Sequence, residues 1–124
     1  MTEFQSQERQ IASFTLAPGA NSTILPSAPP QESYEITEVV IANPSGATVS
    51  GNLLQFATLQ GFSQQGTVIG TIVEPFTISP GRNFIDGVGD AMVTRVSSGC
   101  LLYGQVTGGT VSGRITYRPR AQRG

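Results

Sequence analysis

The stretch AMVTRVSSGCLLYGQVTGGTVSGRITYRP, residues 91–119, decides the predicted fold. It consists of three segments in which apolar and polar residues alternate, and these are separated by Ser98-Gly99 and by Gly108-Gly109. Alternation over about four to eight residues is typical of a strand with one buried face, and such glycine-containing pairs mark turns. We therefore predict three consecutive strands here, paired as two successive hairpins.

The sequence upstream of residue 91 repeats this pattern of short strands and turns. Further strands are predicted within residues 11–16, 34–42, 47–60 and 67–78. A short helix over residues 53–59 is the alternative interpretation for one of them, but the Thr, Val and Gly residues before it favour a strand. With about eight short strands and no amphipathic helix, the chain is predicted to be all-β, an antiparallel β-sandwich or jelly roll, with a small barrel as the alternative.

The length of 124 residues fits a single domain with one hydrophobic core. Residues 1–10 are polar and rich in glutamine, with Phe4 as their apolar side chain, so they are predicted to form a flexible N-terminal arm. The β domain is expected to span residues 11–118. Pro119 cannot donate a ladder hydrogen bond and is expected to end the last strand, which leaves residues 119–124 as a short C-terminal tail.

The composition excludes most kinds of enzyme. Lysine, histidine and tryptophan are absent, so the seven basic residues are all arginines. Without histidine or lysine there is no Ser-His or Cys-His nucleophile pair, no imidazole metal ligand and no Schiff-base lysine. Cys100 is the single cysteine, and its place on a predicted strand indicates a small buried side chain. We predict that the chain is not an enzyme and has no catalytic, cofactor-binding or metal-binding residues.

Three short motifs that resemble functional sites are better explained as ordinary structure. The loop DGVGD offers only Asp86 and Asp90, too few ligands for calcium. The segment GGTVSGRI, residues 108–115, lacks the lysine and the helix of a phosphate-binding loop. Glu35 and Glu38 lie three residues apart on one predicted strand, so they are expected on opposite faces and not as a glycosidase pair.

The charges are distributed unevenly along the chain. Five of the eight acidic residues lie within the first forty residues, whereas residues 91–124 carry five arginines and no acid. The two regions either pair within one subunit or join neighbouring subunits, because arginine makes bidentate bonds to carboxylates. A nucleic-acid surface is disfavoured by the absence of lysine and by a sequence pI of about 5.2. The residues predicted to bind a partner are Phe4, Arg9, Arg114, Arg118, Arg120 and Arg123.

The whole chain resembles the virion structural proteins of tailed bacteriophages, and in particular is similar to capsid cement or decoration proteins. The features that carry this resemblance are the polar arm MTEFQSQERQ, the strand-rich run of residues 91–119 and the tail RAQRG. The resemblance implies a non-enzymatic β-sandwich or jelly roll, often trimeric, that clamps neighbouring capsid subunits. The implied partners are further copies of the chain, as a trimer, and the major capsid protein or another virion protein. The implied location is the virion, assembled in the host cytoplasm.

A ligand-binding or adhesion module, such as a carbohydrate-binding sandwich or a phage tail or fibre component, is the alternative from another functional class. Against it, tryptophan is absent, and Tyr34, Tyr103 and Tyr117 fall in predicted strands and not in loops that could stack on a sugar. No apolar run approaches the roughly 20 residues of a membrane span, and the polar N-terminus is unlike a signal peptide. Membrane and nucleic-acid partners are therefore not expected.

Overall fold

The computed structural model describes residues 9–28, 31–57, 71–87 and 92–121. These residues form nine strands and no helix, which confirms the predicted all-β class. The strands are β1 (Gln10–Leu16), β2 (Ser22–Leu25), β3 (Glu32–Ala42), β4 (Val49–Ala57), β5 (Thr71–Ile78), β6 (Asn83–Asp86), β7 (Thr94–Val96), β8 (Cys100–Thr107) and β9 (Val111–Ala121). The stretch in which a helix was the alternative is strand β4 up to Ala57.

The strands form two antiparallel sheets that pack as a β-sandwich. The five-stranded sheet has the order β1-β9-β3-β6, with β7 also pairing with β3, and the four-stranded sheet has the order β2-β8-β4-β5. The pairs β4–β5, β3–β6, β2–β8 and β1–β9 are nested, as if one long hairpin had been rolled up. This nesting, with β7 as a short addition, is the arrangement of a jelly roll.

The strands of residues 91–119 form as predicted, but their pairing as two hairpins is wrong. Strand β8 pairs with β2 and β4, whereas β9 pairs with β1 and β3 in the other sheet. The turn at Gly108 therefore carries the chain from one sheet to the other. Gly108 has φ 104°, and a Cβ there would collide with the carbonyl oxygen of Thr48, so only glycine fits. Alternation identifies a strand but does not identify its partner.

The core lies between the sheets and is built from the alternating positions that the sequence marks. Phe14 and Leu16 of β1 are buried there, as are Val111 and Ile115 of β9. Cys100 also belongs to this core, which confirms the expectation that it is a small buried side chain. Leu16 lies over Gly104 of the facing sheet, where any side chain would overlap it.

Asn43 anchors the turn that follows β3. Its side-chain amide nitrogen donates to the carbonyl oxygens of Ala47 and Ile78, at 2.8 and 3.0 Å. Its side-chain oxygen accepts from the backbone N–H of Ser45 at 3.0 Å and from the Ser45 hydroxyl at 2.7 Å. The side chain is buried, so these bonds satisfy polar atoms that water does not reach.

The predicted end of the last strand at Pro119 is wrong. Strand β9 continues to Ala121, with Pro119 opposite Tyr34 and Arg120 opposite Ser33. The pairing of β1 with β9 extends only to Tyr117, so within the described residues β9 is an edge strand beyond that point. Proline is tolerated on an edge because the missing N–H leaves no neighbouring strand unsatisfied. Arg120 therefore belongs to the sheet and not to a tail.

Candidate interaction surfaces

The outer face of the five-stranded sheet carries an unusual combination of one cation and exposed apolar side chains. Register places Ser13, Arg114, Val40 and Ile85 side by side across β1, β9, β3 and β6. Ile85 and Ile11, which also points outward, are 63% and 64% exposed. We call these five residues the Arg114 face. A shallow groove of about 630 Å³ runs beside Ser13, Val40 and Arg114.

Arg114, one of the predicted partner-binding residues, lies at the centre of this face as an exposed cation. Among the described parts of the chain, its guanidinium group has no ion pair and no hydrogen bond. Its neighbours in register, Ser13 and Val40, are uncharged. Within the described residues, no anionic group therefore neutralises this positive charge.

A second group of charges on the same outer face is bonded within the chain. The Glu35 cluster consists of Glu35, Arg95, Arg118 and Arg120. Arg118 Nε lies 3.1 Å from Glu35 Oε1, Arg120 Nη1 lies 3.4 Å from the same oxygen, and Arg95 Nη2 lies 3.5 Å from Glu35 Oε2. Arg118 and Arg95 stand directly opposite Glu35 on its two neighbouring strands.

The sequence left open whether the arginines pair with acidic residues of their own subunit or of a neighbouring subunit. For Arg95, Arg118 and Arg120, the Glu35 cluster supports pairing within one subunit. They pair with an acidic residue of their own chain. Arg118 and Arg120, two of the predicted partner-binding residues, therefore already hold Glu35, whose side chain is only 12% exposed. Arg9 is exposed just before β1, while Phe4 and Arg123 lie outside the described residues. Partner binding by these residues stays a prediction.

The expectation that Glu35 and Glu38 point to opposite faces is wrong. The pairing of β3 with β9 shifts between Ile36 and Glu38, so Thr37 is an extra residue that forms a β-bulge. After the bulge, Glu38 faces the same side as Glu35, where it accepts a hydrogen bond from Thr116 Oγ1 at 3.4 Å. Glu35 is already engaged by three arginines, so the shared face does not create a glycosidase pair.

Two carboxyl groups meet where the two sheets approach each other at one edge of the sandwich. Glu74 of β5 is 8% exposed, and its side chain hydrogen-bonds with that of Asp86 of β6. Burial raises the pKa of Glu74 to about 7, and the hydrogen bond to Asp86 and its negative charge add to this effect. Phe76 and Phe84 pack beside the pair, with ring centroids 5.9 Å apart.

Two further features of the described residues concern the side-chain chemistry of metal sites and of reactive thiols. No group of three or more His, Cys, Asp or Glu side chains that could hold a metal ion is present in this part of the chain. Burial raises the pKa of the Cys100 thiol, which disfavours the reactive thiolate. The same residues include no helix of the length and apolarity needed to cross a membrane.

A groove that the sequence did not predict lies along the four-stranded sheet and extends to Phe84 of β6 in the other sheet. Strand register forms two rows across β8, β4 and β5: Thr107, Ser50 and Thr77 in one row, and Gln105, Asn52 and Pro75 in the other. We call the groove lined by the polar side chains of Asn21, Ser50, Asn52, Thr77, Gln105 and Thr107 the polar groove.

The polar groove has a volume of about 930 Å³ and is open to solvent. Gln105 Nε2 donates to Asn21 Oδ1 at 2.6 Å, and the Ser50 and Thr77 hydroxyls lie 3.3 Å apart. These contacts link neighbouring side chains that line the groove. The only sequence signal for this site was the polar half of the alternation in β4 and β8, which by itself indicates a solvated face. The register of β4 with β8 brings these polar side chains next to each other along one groove.

No family model matches the chain, and no curated protein matches it either.

Proposed function

We propose that the chain is a non-enzymatic structural protein of a virus particle that binds and stabilises the capsid shell, as cement or decoration proteins do. In this proposal it assembles with copies of itself as a trimer and attaches to a shell protein through the Arg114 face. The observation that carries the proposal is that Arg114, which has no ion pair among the described residues, lies between exposed apolar side chains in the middle of an open sheet.

The chemistry of the Arg114 face favours protein as the partner. Isoleucines are exposed on both sides of the cation. Burying them against another surface would stabilise the complex by roughly 25 cal/mol per Å² of apolar surface removed from water. Arginine is enriched at the centres of protein interfaces, where its charge selects a carboxylate on the partner. A single cation with apolar neighbours is a poor nucleic-acid surface, which needs several phosphate contacts.

The fold is compatible with this role but does not by itself establish it. Jelly rolls occur in viral capsid proteins and also in lectins, so the same architecture serves different functions. The absence of histidine and lysine from the sequence supports a role without catalysis. Within the described residues, Glu35 pairs with Arg95, Arg118 and Arg120, whereas Arg114 has no such acidic neighbour, which supports the Arg114 face as the docking surface.

The direct test is to look for the chain on virus particles from its natural source. Particles are purified, labelled with an antibody against the chain and viewed by electron microscopy. We expect regular labelling of the shell, and mass spectrometry of the same particles should find the chain in fixed proportion to the major shell protein. Particles that contain none of the chain would contradict the proposal.

The docking surface is tested separately with the variant Arg114→Glu. The matched control is Arg82→Glu, which makes the same change at an exposed arginine in the turn between β5 and β6. We expect Arg114→Glu to weaken self-association and attachment to shell particles at least about tenfold, because a desolvated charge would meet a like charge. Binding that is equally affected by both variants would show that only net charge matters.

A further inference from the structure

We propose that the polar groove is a binding site for a neutral glycan, that is, an uncharged oligosaccharide. Apart from Phe84 of β6, the residues that line this site belong to the four-stranded sheet and to the loop before β2. None of them belongs to the Arg114 face, so the site is a second function of the molecule and independent of the first.

The groove has the donors and acceptors that sugar hydroxyl groups require. Asn52 is half-buried between Gln105 and Pro75, and its side-chain amide forms no hydrogen bond in the described structure. The bond from Gln105 to Asn21 uses one donor and one acceptor, and Gln105 Oε1 and Asn21 Nδ2 form no hydrogen bond in the described structure. Each amide then offers both kinds of bonding atom.

The absence of charge limits the class of ligand. None of the described residues that line the groove is titratable. An acidic glycan, a phosphate or a nucleic acid would be bound by cations, which this surface does not offer. A hydrophobic small molecule would need an enclosed apolar pocket, whereas this groove is open and edged with amides and hydroxyls.

The shape also suits a short sugar chain. The volume of about 930 Å³ lies within the roughly 300–1,000 Å³ of ligand sites. Pro75 and the half-buried ring of Phe84 give the groove an apolar strip next to the polar rows. A pyranose ring has C–H groups on its faces and hydroxyls around its rim, so it can contact both at once. The hydrogen bond between Gln105 and Asn21 orders these two side-chain amides before the ligand binds, which reduces the entropy lost on binding.

The test uses nuclear magnetic resonance of the isotopically labelled full chain, since side-chain amide groups give their own signals. The probes are cellohexaose, maltohexaose, mannohexaose and chitohexaose as neutral glycans, and hexagalacturonic acid as an acidic one. With at least one neutral probe, we expect shifts of the side-chain amide signals of Asn21, Asn52 and Gln105. The affinity should not change between about 50 mM and 500 mM NaCl, because no ion pair is involved.

The matched variants are Asn52→Ala in the groove and Asn83→Ala on the other sheet. We expect Asn52→Ala to weaken binding about fivefold to tenfold, as for the loss of one or two hydrogen bonds, and Asn83→Ala to leave it unchanged. The Arg114→Glu variant should bind the glycan normally, so the two functions can fail separately. The proposal is overturned if no neutral probe binds at about 10 mM, if the acidic probe binds more tightly, or if Asn52→Ala binds like the native chain.

Discussion

At the scale of single residues, Glu74 has a carboxyl group that the fold places where a negative charge is unfavourable. Its folded pKa of about 7 lies above the ordinary value of 4.5, so the folded state binds more protons than the unfolded state between these two pH values. Stability therefore falls as the pH rises from about 4.5 to about 7 and stays reduced above that.

We expect Glu74→Gln to remove this loss, because glutamine keeps the shape without the charge. The variant should be more stable than the native chain at pH 8 by about 1–2 kcal/mol, because the ionised carboxylate of Glu74 is buried beside Asp86. At pH 4 the two should differ little. Urea unfolding at both pH values measures this, and an equal difference at pH 4 and pH 8 would mean that the charge of Glu74 is not the cause.

Also at this scale, the arginines of β9 should differ in their effect on stability. Arg118 holds the buried carboxylate of Glu35, whereas Arg114 on the same strand has no partner in the described structure. We expect Arg118→Gln to lower the free energy of unfolding by about 1–2 kcal/mol and Arg114→Gln by less than about 0.5 kcal/mol. Thermal unfolding of the two variants checks this, and equal melting temperatures would show that the Glu35 cluster contributes nothing through Arg118.

At the scale of secondary-structure elements, the bulge in β3 is an extra residue that the sheet accommodates. Tyr34 and Ile36 face the core before it, and Val39 and Ile41 face the core after it, so Thr37 interrupts an otherwise regular alternation. Deleting Thr37 restores that alternation, and we expect a folded but less stable protein. Deleting Val40 puts one end of the strand out of phase and should prevent folding. Circular dichroism distinguishes them, and two deletions with the same outcome would refute this role for the bulge.

The same bulge shows where the alternation of apolar and polar residues stops predicting the direction of a side chain correctly. Regular alternation predicted strands β1 and β9 correctly, because the direction of each side chain in a regular strand depends only on its position in the alternation. It failed for Glu35 and Glu38, since one extra residue reverses every direction beyond it. It also failed at Pro119, because the effect of a proline depends on whether a second strand lies beside it, and that is decided by β1 at the other end of the chain.

At the scale of the whole molecule, the two candidate surfaces differ in how much the sequence could predict. Arg114 was found because it is a charged residue on the polar side of a clear alternation. The polar groove was not, since Asn52 and Gln105 become neighbours only through the register of β4 with β8, two strands about fifty residues apart. Nested pairing makes almost every neighbour in this fold distant in sequence, so surface sites depend on long-range register.

The nested pairing also makes the two ends of the chain essential to each other. Strand β1 pairs with β9 from Gln10 opposite Tyr117 to Leu16 opposite Val111, and it supplies Phe14 and Leu16 to the core. Truncating either side chain to alanine in a core costs about 2–5 kcal/mol, compared with a total stability of about 5–15 kcal/mol for a domain. Deleting residues 1–16 should therefore abolish cooperative unfolding, whereas deleting residues 1–9, which keeps all of β1, should leave the urea midpoint nearly unchanged. A large loss of stability in the shorter deletion would mean that the predicted arm is part of the domain, and a normal transition in the longer one would mean that β9 needs no partner from β1.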